Sequence, residues 1–216
     1  MSAAAPTPET DDADPAAGIE PETAAPSGPE PAPAGGVEIV RLGADDVAVF
    51  RALRLAAMTR SPDAFNSTYG EELAKPDAWY AERLAADGVF AAGGRAQPQG
   101  MVGVRRYPTA KARHKAWIYG LFVAPEARGR GVGQALVQPA LTHAAAEVDV
   151  ELVLLTVVTG NAPAIALYER MGFEAYGVEP RAMKTPDGTY YDDLLMARPV
   201  PLTAAARPAG PPARHA

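Results

Sequence analysis

None of the 216 residues is cysteine, which excludes disulfides, thiol catalysis and thiolate metal sites. The formal charge of −6 belongs to one end: residues 1–36 carry seven acids (Glu9, Asp11, Asp12, Asp14, Glu20, Glu22 and Glu30) and no Lys or Arg, leaving 19 acids against 20 bases over residues 37–216. That near-neutral remainder lacks the charge excess of a general nucleic-acid binder, and no run reaches the roughly 18 uncharged apolar residues that a membrane span needs.

The first residues have neither a basic region nor an apolar stretch of secretory type, so the expectation is a soluble, cytoplasmic protein. Residues 1–36 are Ala, Pro, Glu, Asp and Gly with one large aliphatic side chain, Ile19; such a segment cannot bury enough apolar surface to offset its ordering entropy. Residues 199–216 have a similar composition. Both are expected to be disordered tails around a domain at 37–198.

Within the domain, strands and helices alternate. Residues 37–42 read as a short strand, and the helix after Asp45 carries Val47, Phe50, Leu53, Leu55 and Met58 on an apolar stripe. Ser61-Pro62-Asp63 ends it. A second helix is expected over 77–86 with Trp79, Leu84 and Tyr80 turned inward, then strands at 88–92 and 101–107 joined by a turn-rich segment. A longer strand at 115–123, a helix at 132–147 and a continuously apolar strand at 151–158 follow, the last reading as buried on both faces. A helix over 161–171 and closing strands at 173–178 and 189–197 complete an α/β (α+β) pattern: a mixed sheet of about six to seven strands flanked by helices.

The most informative segment lies between the fourth strand and the next helix: Arg128-Gly129-Arg130-Gly131-Val132-Gly133-Gln134. Glycines free the backbone and let a ligand approach it, and the first amides of a helix have no intrahelical partner and point along the positive end of its dipole. The combination suits a pyrophosphate, with Arg128 and Arg130 adding charge at the rim. A dinucleotide pattern G-x-G-x-x-G would need glycine at 134, where Gln stands, and no Gly-Lys-Ser/Thr follows. With only His114, His143 and His215 and no G-x-S-x-G, metal and triad hydrolase readings have no support.

Arg128-x-x-Gly131-x-Gly133 resembles the Q/R-x-x-G-x-G/A signature of the GNAT superfamily of acyl-CoA-dependent N-acyltransferases. Val123-x-Pro125-Glu126 before it and Asn161-x-x-Ala164-x-x-Leu167-Tyr168-x-x-x-Gly172-Phe173 after it resemble further blocks of that family, and weaker likeness extends over residues 37–198. The resemblance implies a fold in which acyl-CoA enters a splay between two central parallel strands, here 115–123 and 151–158. It implies that amides of residues 128–134 (Arg128, Gly129, Arg130, Gly131, Val132, Gly133, Gln134) hold the pyrophosphate of acetyl-CoA. The backbone of Leu121, Phe122 and Val123 would pair with the pantetheine arm, and Asn161 and Tyr168 would contact it, Tyr168 acting as general acid on the departing thiolate. Asn161 also reads as a helix N-cap, and Tyr168 as a core aromatic.

The implied function is transfer of acetyl from acetyl-CoA to a primary amine of a small molecule or protein, by direct attack in a ternary complex, with no metal. Many relatives carry an acid on the strand before the loop; Trp117-Ile118-Tyr119-Gly120-Leu121 has none, so the base is open among Asp192, Asp193, Glu71, Glu72, His114 and water. Phe65 and Tyr69, in the segment that borders the acceptor in this fold, and Tyr190 and Tyr191 near the last hairpin are either pocket wall or core. A catalytically idle acetyl-CoA-binding module is the alternative, and a homodimer, common among similar proteins, is left open.

Overall fold

The computed structural model describes residues 36–200. The chain runs β1 (Ile39–Leu42), α1 (Val47–Arg60), α2 (Tyr69–Ala74), α3 (Asp77–Ala86), β2 (Gly88–Ala92), β3 (Gly100–Arg106), β4 (Lys115–Val123), α4 (Val132–Ala146), β5 (Leu152–Val158), α5 (Ala162–Arg170), β6 (Glu174–Lys184) and β7 (Tyr190–Pro199). One seven-stranded sheet has the order β1-β2-β3-β4-β5-β7-β6. Every neighbouring pair is antiparallel except β4 and β5, which are parallel and joined by the α4 crossover.

The parallel pair is short. Lys115, Ala116 and Trp117 pair with Leu152, Val153 and Leu154, and no pairing continues beyond them. The two strands diverge there, leaving the β5-facing backbone edge of residues 118–123 without a strand neighbour. At the same level the β3–β4 register skips: Gly103 pairs with Tyr119 and Met101 with Phe122, so β4 carries an extra residue. Gly120 sits in that bulge at φ +63, a conformation that costs a residue with a Cβ atom about 1–2 kcal/mol. The bulge bends β4 away from β5 where the gap opens.

Alternation along β3 separates the helices. A Cβ on Gly100 would meet Leu136 of α4, whereas a Cβ on Gly103 would meet the Tyr119 ring, so α4 covers the face opposite the one that carries Tyr119. Leu136, Val137, Ala140, Leu141 and Ala144 bury the α4 stripe. On the Tyr119 face, α1 buries Phe50, Leu53, Ala57 and Met58, and α3 buries Tyr80 and Leu84. Tyr80 is wholly buried and meets Phe50 edge-on at 5.8 Å, while Trp79 is only partly buried and lies beneath the cations of Lys75 and Arg83.

Two features depart from the sequence expectation. Arg54, rather than Leu55, is buried in α1; its Nε and Nη2 donate to both carboxylate oxygens of fully buried Glu72, at 2.8 and 2.9 Å. That pairing explains α2, a six-residue helix where a loop is expected: the helix carries Glu72 inward, and Thr68 and Glu71 close a capping box at its start. The expected tails, 1–36 and 199–216, lie outside the described residues save for residues 36, 199 and 200.

Candidate functional site

The turn between β4 and α4 is built by its own side chains. Arg128 Nε donates to the Val123 carbonyl at 3.0 Å and Nη2 to Ser61 Oγ at 2.9 Å, pinning the loop to the end of β4 and to the break after α1. Arg60 grips Glu126 with both guanidinium nitrogens, at 2.5 and 3.0 Å, and holds its carboxyl down to about 2. The guanidinium of Arg128 is thus spent on organising the loop, while Arg130 is exposed.

Gly131 is the N-cap of α4 and lies at φ +77, where a Cβ atom would be strained. It has no side chain to cap the helix, and no acid stands in the first turn. The leading amides of the helix, those of Val132, Gly133 and Gln134, therefore start a 15-residue helix uncapped, at the positive end of its dipole. Gly129, at φ +72, has nothing within 4 Å of a notional Cβ. Gly133 differs from the expectation drawn from its spacing. Its φ is ordinary; a Cβ there would lie 2.9 Å from Leu167 Cδ2, so this glycine lets α5 pack close to the start of α4. Val132 is buried and anchors the turn, and Gln134 is half-buried beside it.

The end of β4 points into the same place. Phe122 is buried against the core, and Leu121 and Val123 are half-buried; Phe122 and Val123 pair with Met101 and Gly100 of β3, leaving their strand's other edge to the gap. From β5, Asn161 caps α5: its Oδ1 accepts from Ala164 N at 3.3 Å, so the capping role read from sequence is met. Two turns on, Tyr168 is 5% exposed and stacks edge-on with Phe173 at 5.7 Å. Its hydroxyl has no hydrogen-bond partner among the described residues, and burial raises the phenol far above its ordinary pKa. A buried, protonated, unpartnered O–H is a donor in waiting. Tyr168 is therefore a core aromatic whose hydroxyl stays protonated.

On the Tyr119 face a cavity of about 220 Å³ opens at the point of divergence, lined by Trp117, Ile118, Tyr119 and Gly120 of β4, Thr156 of β5, and Arg54, Met58 and residues 64–67. It shares Met58, Phe65, Asn66 and Ser67 with a larger one of about 650 Å³ that runs between residues 62–69 and the β6–β7 hairpin, where Tyr69, Lys184, Asp187 and Tyr191 stand. Phe65, Tyr69 and Tyr191 thus line cavity wall. Tyr190 lies outside, half-exposed beneath the cations of Arg181 and Lys184.

The acids considered as bases separate sharply. Burial pushes the Glu72 carboxyl up, but Arg54 and Lys75 outweigh it and hold it below the usual range. Glu71 accepts from Thr68 N and Oγ1 at 2.7 and 2.8 Å, which lowers it too. Asp192 is exposed and accepts from Arg181 N at 2.7 Å. His114 precedes β4 at the end away from the loop, its carbonyl accepting from Glu151 N. Asp193 differs from all of these: it is 4% exposed, and its buried Oδ1 has no partner among the described residues. Tyr119, on the strand that carries no acid, donates to buried Asp87 at 2.5 Å, and Arg105 donates to both oxygens of the same carboxylate. Among the described residues no helix is long and apolar enough to cross a membrane.

Comparison with known proteins agrees with this geometry. Ribosomal-protein-alanine N-acetyltransferase from Brucella melitensis shares the fold at a TM-score of 0.64 and 24% identity, over 76% of this chain and 99% of that one. A phosphinothricin acetyltransferase from Sinorhizobium meliloti, solved with acetyl-CoA, gives 0.65 at 20% identity over 81% and 94%. The yncA protein of Salmonella typhimurium, also solved with acetyl-CoA, gives 0.65 at 18% over 82% and 100%. A curated relative, mycothiol acetyltransferase of Streptomyces griseus, is 42% identical over 62 residues, 29% of this chain; the match spans only a fifth of that relative's length. Residues 54–173, more than half of the chain, match the model of the acetyltransferase (GNAT) family, and the chain belongs to that family.

Proposed function

We propose that the chain is an acetyl-CoA-dependent N-acetyltransferase that moves acetyl to a primary amine, of a small molecule or of a protein, by direct attack in a ternary complex. The observation that carries this reading is the uncapped start of α4 behind a left-handed Gly131, at the end of a strand that has parted from its parallel neighbour. Anion-binding amides and an unpaired strand edge meet there, which suits a diphosphate continued by an amide-bearing arm. Amides of residues 128–134 would take the diphosphate, the edge at Leu121, Phe122 and Val123 the pantetheine amides, and Asn161 the neighbouring part of the arm.

Acetyl-CoA supplies an activated thioester; the remaining chemistry falls to the chain. An amide of the β4 edge polarises the thioester carbonyl as its oxygen gains charge. Tyr168, kept protonated by burial, gives its proton to the sulfur as the carbon–sulfur bond breaks. The acceptor amine arrives through the cavities at Phe65 and Tyr191, which share Met58, Phe65, Asn66 and Ser67 and reach β4 and Thr156 of β5.

A free-thiol assay with purified protein, acetyl-CoA and a panel of amino acids, polyamines, aminoglycosides and short peptides tests this. Release of CoA that depends on one amine class is expected. Saturable acetyl-CoA binding without release for any amine contradicts the transferase reading.

A further inference from the structure

Asp193 is a costly feature that nothing in the fold explains. A buried carboxylate ordinarily has hydrogen bonds to every oxygen or an ion pair. Arg54–Glu72 and Arg105–Asp87 follow that rule. Asp193 does not: among the described residues its Oδ1 has no partner, and the charged neighbours that act on it are both acidic, Glu179 paired with it on β6 and Asp192 next in the chain on the opposite face. Its one polar helper is the hydroxyl of Thr156 on β5.

The register shows why that contact matters. Thr156 pairs with Leu195 and Val158 with Asp193. Directly paired residues, and residues two apart on one strand, share a face, so Asp193 and Thr156 stand on the same side of the sheet. Thr156 is the exposed hydroxyl in an otherwise apolar strand, and it lines the 220 Å³ cavity across the gap from Trp117, Ile118, Tyr119 and Gly120. It bridges the place where an amine would meet the thioester and a carboxylate with an unsatisfied oxygen.

We propose that Asp193, acting through the Thr156 hydroxyl, removes the proton that the acceptor ammonium must lose. This deepens the acetyltransferase reading and rests on it. The ammonium N–H gives its proton to Thr156 Oγ as the Thr156 hydroxyl proton passes to the Asp193 carboxylate. The freed nitrogen pair forms the carbon–nitrogen bond, the carbon–sulfur pair leaves on sulfur, and Tyr168 protonates it. The second nitrogen proton departs as the amide forms and returns to Tyr168 through solvent. Burial and the two neighbouring acids raise the Asp193 carboxyl above its ordinary value.

The test is the pH profile of kcat/KM for wild type, Asp193→Asn, Thr156→Val and Thr156→Ser, using the panel amine that gives the fastest CoA release. Acetyl-CoA affinity is measured alongside by calorimetry. Wild type is expected to rise to a plateau near neutral pH. Asp193→Asn and Thr156→Val are expected to fall by roughly 10²–10³ there, with unchanged acetyl-CoA affinity, and to climb about tenfold per pH unit as free amine accumulates. Thr156→Ser is expected to restore the plateau. An Asp193→Asn profile matching wild type overturns the proposal, as does a loss of activity that tracks lost acetyl-CoA binding. A Thr156→Val variant with a wild-type profile overturns the relay. If wild type itself releases no CoA, the acetyltransferase reading fails and this proposal with it.

Discussion

Tyr168 is a core aromatic in the structure and, in the proposed mechanism, also the acid that protonates the departing sulfur. Its ring is held edge-on by Phe173, yet its hydroxyl has no partner among the described residues. Tyr168→Phe preserves the ring packing and removes only the O–H. Turnover is expected to fall by about 10²-fold or more while the acetyl-CoA dissociation constant changes little; steady-state kinetics beside calorimetry separates the two. Asp193 makes a second prediction, on stability. Its folded-state pKa is raised, so folding favours the protonated form. Its stability contribution is full below the unfolded pKa and is lost as pH rises through the folded one. Asp193→Asn is therefore expected to melt at a higher temperature than wild type at about pH 8, with the gap closing toward about pH 3. A gap that widens on acidification contradicts this.

At the scale of elements, the α4 start and the α1–α2 pairing carry the testable weight. Gly131→Ala forces a Cβ into a left-handed cap at a cost of about 1–2 kcal/mol. If the helix keeps its cap geometry only under strain, acetyl-CoA affinity drops about tenfold or more while the sheet stays intact; calorimetry and circular dichroism read the two effects. Glu72→Ala strands the buried Arg54 guanidinium and is expected to cost about 3–5 kcal/mol in urea denaturation, whereas joint replacement by Arg54→Met and Glu72→Leu recovers most of it. The sequence carried α4 and β4 almost to the residue, because apolar periodicity and the Pro125 and glycine breaks are local signals. It also held the signal for α2, in Thr68 and Glu71 three apart, but an acid at 72 reads as solvent-facing until Arg54 is seen opposite it.

At the scale of the molecule, what the sequence could not supply is what depends on register. That β4 and β5 would be central and parallel followed from the family resemblance, but the gap between them exists because pairing stops at Trp117 and Leu154. No residue pattern announces that stop, apart from Gly120, whose role in a bulge appears only when β3 is laid against β4. The same holds for Asp193: two adjacent acids on a strand point to opposite faces, and only the pairing of β7 with both β5 and β6 shows which one is buried and that Thr156 is its neighbour.

In the proposed reading, the uncapped start of α4 and the open edge of β4 form one site for the coenzyme. Titration calorimetry of the purified chain with acetyl-CoA measures this directly, with pantetheine, which lacks the diphosphate, as the control. Saturable one-to-one binding in the micromolar to sub-millimolar range is expected, much weaker for the control and for Gly131→Ala. Equal affinity for acetyl-CoA and pantetheine, or no binding of either, contradicts the account.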